Sequence, residues 1–159
     1  MKIERVVTGY LEENCYILTI DKKSIVIDPG DDYDLIKEKL KDTKVLGVLL
    51  THNHFDHIGA VNDVVKDYSI NVYSANNLEE QEYQFDNFKF RVIYTPGHSS
   101  DSISYYFEQE KVMFTGDFLF KGNVGRCDLP TGSWLDMQKS LKKIKKYLIN
   151  SVDSREASL

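Results

Sequence analysis

The stretch Thr51-His52-Asn53-His54-Phe55-Asp56-His57-Ile58-Gly59-Ala60 constrains this chain more than any other. It holds three of the chain's four histidines and one aspartate within six residues. It follows an apolar run, Val45-Leu46-Gly47-Val48-Leu49-Leu50, that reads as a buried strand. His52 and His54 are two apart, so an extended segment points both rings to the same side. Asp56 and His57 are adjacent, so a turn aims them from another direction. A helical pattern begins at Ile58. A strand end that delivers clustered imidazoles and a carboxylate into a loop is a first-row metal site in outline. Neutral imidazole and carboxylate suit Zn, Fe or Mn, and an open coordination position makes such a site catalytic. The competing reading is a polar surface loop that happens to be rich in histidine. Later residues that supply further ligands count against it.

The totals narrow the class. A chain of 159 residues is one domain by length and can bury a core. The net charge of -5 argues against nonspecific nucleic-acid binding, which needs a basic footprint. No apolar run approaches the roughly 20 residues of a membrane-spanning helix, and Met1-Lys2-Ile3-Glu4-Arg5 lacks the apolar core of a signal peptide. Cys15 and Cys127 form no CxxC pair, which points to a reducing cytoplasm and no disulfide framework. Cys15 reads as a small buried hydrophobe.

Taken in order, the chain opens with strands at Ile3–Thr8, Cys15–Ile20 and Ser24–Asp28, an antiparallel meander stopped by Pro29-Gly30. Asp28 reads as a turn-former or a support for neighbouring loops, in preference to a catalytic carboxylate. Tyr33–Lys41 reads as a helix with Leu35, Ile36 and Leu40 as its apolar stripe, and Ile58–Tyr68 as a second helix. A short strand at Asn71–Ser74 precedes a polar helical turn or loop at Leu78–Tyr83, whose acidic run reads as a solvated face. Strands follow at Phe88–Tyr94, Ser102–Phe107 and Lys111–Thr115. The first of these ends in Thr95-Pro96-Gly97-His98-Ser99 and the last in Gly116-Asp117. A glycine-containing loop spans Phe120–Pro130. Ser133 caps a last helix running to Leu148, with Trp134, Leu141, Ile144 and Leu148 on its apolar face and five lysines on its solvated one. Residues 1–150 therefore form the domain, and 151–159 a polar tail that frays.

Three loops after strands carry the candidate ligands: His52 to His57, His98 and Asp117. Function gathers on loops at one edge of a rigid sheet, and the conjunction raises His98 and Asp117 above the turn residues each would be alone. The run His-x-His-x-Asp-His, then Pro-Gly-His-Ser, then Thr-Gly-Asp resembles the metallo-β-lactamase superfamily. Asn14-Cys15-Tyr16-Ile17, Ile27-Asp28-Pro29-Gly30 and Gly125-Arg126-Cys127-Asp128-Leu129-Pro130 resemble its small hydroxyacylglutathione hydrolase-like (glyoxalase II-like) branch. The resemblance runs from Met1 to Leu148. It implies an α/β fold, an αβ/βα sandwich of two mixed sheets between helices with metals at one edge. It also implies a first metal position on His52, His54 and His98, a second on Asp56, His57 and one further histidine, and Asp117 bridging them. Asp56 would orient or accept the proton of the attacking water.

The family's second position takes a later histidine, and this chain has none to spare. The family's last strand and helix also find no match in the tail. The expectation is a shortened form with one metal or two unequally held ones, unless a partner subunit in a homo-oligomer or a tail residue donates the missing ligand. The resemblance implies a cytoplasmic zinc hydrolase of a small thioester or related acyl compound, acting through metal-bound hydroxide. No residue here points to glutathione in particular. The alternatives are a mononuclear iron oxidoreductase like the persulfide dioxygenases, on His52, His98 and Asp117, and an inactive or partner-completed relative. Phe55 and Phe118 are candidates for the pocket wall or the core. Arg126 reads as a partner for a substrate carboxylate or, in preference, as half of an ion pair with a loop acid such as Asp128.

Overall fold

The structure, a computed structural model, describes residues 1–148 and the backbone of residues 153–156. Strands β1 (Lys2–Thr8), β2 (Glu13–Ile20) and β3 (Lys23–Ile27) form an antiparallel meander. Asp21 and Lys22 both take positive φ at its second turn, the geometry that matches a two-residue hairpin to the twist of its strands. Helix α1 (Tyr33–Leu40) leads to β4 (Lys44–Leu49), and the short α2 (Phe55–Ile58) and α3 (Val61–Tyr68) lead to β5 (Asn71–Tyr73). Both strands run parallel to β3 in a sheet ordered β1-β2-β3-β4-β5.

The second sheet is built from β6 (Glu82–Phe85), β7 (Phe88–Tyr94), β8 (Ile103–Phe107) and β9 (Val112–Gly116), all antiparallel. A small ribbon of β10 (Leu119–Phe120) and β11 (Asn123–Val124) precedes α4 (Trp134–Leu148). Strand β12 (Asp153–Glu156) then pairs in parallel with β9 at the sheet edge.

Side-chain alternation sorts these strands into layers. On β2, Tyr16 and Leu18 face the second sheet, while Cys15 and Ile17 face α1 and α3. On β3, Ile25 and Ile27 face inward and Val26 outward. From the second sheet, Phe90, Tyr105, Phe107 and Phe114 fill the space between the sheets. Tyr106 and Met113 point the other way, onto Met137 and Ile144 of α4. Both sheets are thus buried on two faces, and the result is the expected αβ/βα sandwich. Each fully buried aliphatic or aromatic side chain contributes about 1.5–3 kcal/mol, so the strand ends that carry the loops stand on a rigid base.

Several local expectations are corrected. The helix read over Ile58–Tyr68 is broken. Gly59 and Ala60 leave it because Pro29-Gly30 docks there: Ala60 N donates to Pro29 O at 2.9 Å, and a Cβ on Gly59 would collide with Gly30 O. Of the two readings for Leu78–Tyr83, the loop holds over 78–81 and the helical turn does not form. Leu78 is buried, and Glu82–Phe85 forms a hairpin with β7 around Asp86, whose φ is positive. The acidic run there is exposed, as expected, and its members pair on the surface, Glu80 with Lys143 and Glu82 with Lys89 and Arg91. Leu35 and Trp134, placed on apolar faces by their spacing, are exposed at 54% and 56%. The tail read as featureless contributes β12, because an edge of backbone donors and acceptors on β9 accepts any extended segment whatever its side chains. The rest of the tail expectation, residues 151–152 and 157–159, lies outside the described residues.

The loops following β3, β4, β7 and β9 meet at one edge of the sandwich. Two bonds tie the end of β4 to the second sheet: Tyr105 Oη donates to Leu50 O at 2.6 Å, and Ile103 N donates to Thr51 O at 2.8 Å.

Candidate metal centre

The loop after β4 leaves the sheet extended, so His52 and His54 project to one side, and His98 reaches them from the loop after β7. One ring nitrogen from each of the three lies within 4.8 Å of the others. The hydrogen bonds behind the rings decide which nitrogens face inward. Thr51 Oγ1 donates to Asp28 Oδ2 at 2.6 Å, so it accepts from His52 Nδ1 at 3.0 Å. That leaves the lone pair on His52 Nε2, a buried atom with no hydrogen-bond partner. His98 Nδ1 donates to Arg126 O at 2.8 Å, so His98 Nε2 faces His54 Nδ1 at 3.0 Å and Asp117 Oδ2 at 3.5 Å. Buried polar atoms are nearly always partnered. An orphaned imidazole nitrogen among other imidazoles, beside a carboxylate, fits a cation bound between them.

The second group is built around His57, in the short α2. Its Nε2 lies 3.3 Å from Asp117 Oδ2 and 3.5 Å from Asp56 Oδ2. Its Nδ1 donates to Asp28 Oδ2 at 3.0 Å. A carboxylate behind a histidine in this way fixes the ring and its tautomer for a metal on the far nitrogen. Asp28 is held in turn by Thr51 N at 2.8 Å and Thr51 Oγ1. It supports both groups at once, since the same threonine orients His52. Glu13 also stands behind His57, with Oε1 at 3.4 Å from Nδ1 and no hydrogen-bond partner, while Oε2 accepts from Thr8 Oγ1 at 2.8 Å.

The two groups differ in charge. Burial, with His57, His54 and His98 nearby, holds His52 well below the usual imidazole range. Burial and His98 also lower His54. Burial works against protonating His57 as well, yet its hydrogen bonds to Asp117 and Asp28 outweigh it and raise the ring well above the usual range. Asp117 is lowered: burial opposes this, and His57 and the other imidazoles prevail. Burial pushes Glu13 up to about 9, with His57 opposing and Asp28 adding to the rise.

Glycine makes the close approaches possible. A Cβ on Gly30 would strike Asp56 O and lie 2.5 Å from Glu13 Oε2; one on Gly125 would strike Asp117 O. The groups open onto a cavity of about 820 Å³ whose lining includes His54, Asp56, His98 and Asp117. Arg126 and Asp128 pair through two bonds of 2.7 and 2.8 Å, and that pairing holds the Asp128 carboxyl down to about 2. Phe55 lines the cavity and is 75% exposed, whereas Phe118 belongs to the core against α4.

All six predicted ligands come together: His52, His54 and His98 in one group, Asp56, His57 and Asp117 in the other. The sequence reading did not single out Glu13, Thr51 or Asp101. Glu13 was read as part of a turn, but it begins β2 and points inward. Its position two residues before Cys15, on the strand's alternation, was the available signal. Thr51 was legible only as the residue before the cluster, and Asp101 only as a loop acid that accepts from Ser99 Oγ at 2.7 Å.

Two sheets face to face, helices outside, and a His/Asp cluster on one edge form the architecture of the metallo-hydrolases. Residues 8–81 and 74–150 match the metallo-beta-lactamase superfamily, and the chain belongs to it. The probable metallo-hydrolase YqgX of Bacillus subtilis is 31% identical over 84% of this chain and 78% of its own length. The hydroxyacylglutathione hydrolase GloC of Haemophilus influenzae is 27% identical over 89% and 83%. Among solved structures, the BLEG-1 B3 metallo-beta-lactamase superposes with a TM-score of 0.88 at 30% identity, covering 99% of this chain and 92% of that one. TTHA1623 in a di-iron-bound form gives 0.86 at 30%, covering 98% and 92%. ETHE1 from Myxococcus xanthus gives 0.87 at 25%, covering 100% and 76%. Among the described residues, no helix is long and apolar enough to cross a membrane.

Proposed function

We propose that this chain is a metal-dependent hydrolase of small thioesters or related acyl compounds. The observation that carries the reading is the convergence of His52 Nε2 and His98 Nε2 on Asp117 Oδ2, with His98, Asp117 and Asp56 lining an open cavity. The glyoxalase II-like names among the relatives support the acyl class. His52, His54 and His98 would hold one ion with Asp117, and Asp56 and His57 a second across Asp117, with zinc first and iron or manganese as alternatives. A bound ion of this kind lowers the pKa of water to about 7 and polarises a carbonyl.

The chain's own residues supply the rest. Asp56 takes a proton from the attacking water as its oxygen bonds to the acyl carbon, and returns it to the thiolate released when the C–S bond breaks. Asp28 keeps His57 in register through Nδ1. The first group offers three imidazoles and the second only one, so the first would hold its ion more tightly.

Elemental analysis of the purified chain, followed by thioester hydrolysis before and after chelation, tests this. One tightly held metal, with activity lost on chelation and restored by zinc, is the expected result. A fully loaded chain that turns over no thioester would overturn it and favour an inactive relative; turnover of a β-lactam alone would reassign the substrate class. A second reading rests on His52 Nε2 and His98 Nε2 both facing Asp117 Oδ2, at 3.8 and 3.5 Å. Two histidines and a carboxylate are the iron set of many oxygen-using enzymes. Iron in the purified chain, with oxygen consumption on a persulfide, would establish it.

A further inference from the structure

The cavity above the two groups has one apolar rim and no unpaired cation. Leu11 and Phe55, exposed at 46% and 75%, line it together with Leu129 and Pro130. Leu11 and Phe55 also wall an adjoining cleft of about 220 Å³, shared with the fully exposed Tyr10, so the apolar surface continues past the cavity mouth. Exposed large side chains gathered at the mouth of a pocket are the surface feature that marks a binding site.

Charge narrows the ligand. Apart from the histidines of the metal groups, Arg126 is the one basic side chain among the described residues that line the cavity. Asp128 takes one edge of its guanidinium, accepting from Nε and Nη2, so the pair carries no net charge. Asp101 adds a carboxylate to the wall, beyond Asp56 and Asp117. A ligand carrying carboxylates away from its reactive carbonyl would meet an Arg126 already neutralised by Asp128 and would lie beside Asp101. Like-charge repulsion from Asp101 disfavours such a ligand, and the apolar rim offers its carboxylates nothing in return.

We infer that the Leu11–Phe55 and Leu129–Pro130 rim selects an uncharged thioester with an apolar acyl chain, and disfavours thioesters of anionic thiols such as glutathione. The inference rests on the hydrolase reading, and its test separates the two. The metal-loaded chain is assayed on acetyl, hexanoyl and benzoyl thioesters of N-acetylcysteamine, a neutral thiol, and on the same acyl groups carried by glutathione. One fully buried methylene is worth about fourfold, so a chain half-buried along the rim should raise kcat/KM about tenfold from acetyl to hexanoyl. Phe55→Ala should remove most of that rise. The neutral thioester should exceed its glutathione counterpart about tenfold, and Asp128→Asn, which frees Arg126 at an exposed position, should narrow that gap severalfold.

A flat chain-length series, or equal or better turnover of the glutathione thioester by the unaltered chain, overturns the inference and leaves the hydrolase reading standing. Failure to turn over any thioester overturns the hydrolase reading instead. A gap that Asp128→Asn does not change would mean that the Arg126–Asp128 pair does not set the charge preference, and that part of the inference falls.

Discussion

His52 and His57 lie five residues apart in sequence, both buried, in opposite electrostatic surroundings. His52 faces other imidazoles, and its Nδ1 is fixed by a neutral hydroxyl. His57 faces four carboxyl groups, Glu13 and Asp28 on one side and Asp56 and Asp117 on the other. A metal ion arriving at His52 meets a lone pair already stripped of its proton. One arriving at His57 must displace a proton that the carboxylates hold in place. Residue type alone therefore does not rank the two candidate positions; the atoms behind each ring do.

The largest expected effect separates the two histidines directly. His52→Ala should lose the first metal and at least about a hundredfold in thioester turnover, since loss of outer partners alone costs 10–100-fold. His57→Ala should retain about one equivalent of metal. Elemental analysis after gel filtration reads both, and equal losses would dissolve the contrast.

Next comes the support behind the rings. Asp28→Asn leaves a charged His57 short of a buried partner and should cost about 3 kcal/mol of stability in urea denaturation. Thr51→Val, on the His52 side, should cost about 1–3 kcal/mol. Gly30→Ala should shift the Asp56 backbone and weaken the second metal position while sparing the first, because the added Cβ meets Asp56 O and Glu13 but none of the three first-group histidines. Chelator competition would resolve the two affinities.

The pH dependence has a defined sign. His57, raised above 6.5, contributes stability that is whole below that value and is lost as pH rises through its folded pKa. Glu13, raised from 4.5 to about 9, resists ionisation, so it too costs stability as pH climbs across that interval. Chelated protein should therefore melt at a lower temperature at about pH 9 than at about pH 6. The metal-loaded chain should fall less, because an ion replaces the proton at His57. A chelated protein that gains stability with pH would show that the carboxyl cluster does not govern His57.

The smallest effect lies away from the site. Lys143 bridges Glu80 and Tyr94 O on the surface, and Lys143→Met should cost no more than about 1 kcal/mol. Measured beside Asp28→Asn, it calibrates how much burial amplifies a charged contact here.

The strands and the ligand set were legible because both rest on local signals. Alternation on β2, β3, β7 and β9 reads directly as two faces, and His-x-His-x-Asp-His is a spacing that an extended segment and a turn convert into geometry. The sequence reading went wrong where a distant segment overrode local preference. Gly59 left its helix because Pro29-Gly30 packs on it, and Glu82–Phe85 forms a hairpin strand with β7 where the sequence offered only a turn or loop. The tail's polar residues gave no strand pattern, yet Asp153–Glu156 pairs with the open edge of β9 through its backbone.

By itself, then, the sequence determined most strands, the loops that carry the candidate ligands and the types of donor atom they offer, and its family resemblance implied the sandwich. Only the tertiary structure decided which nitrogen of each histidine faces inward, that Asp28 and Thr51 join the two groups, and that Glu13 is buried behind His57. It also decided that Arg126 is spent on Asp128 and that Phe55 stands at the cavity rim while Phe118 joins the core. The physical reason is range. Side-chain period and ligand type are properties of a few consecutive residues, whereas proton position, burial and charge pairing depend on groups up to 60 residues apart, as His57 and Asp117 are.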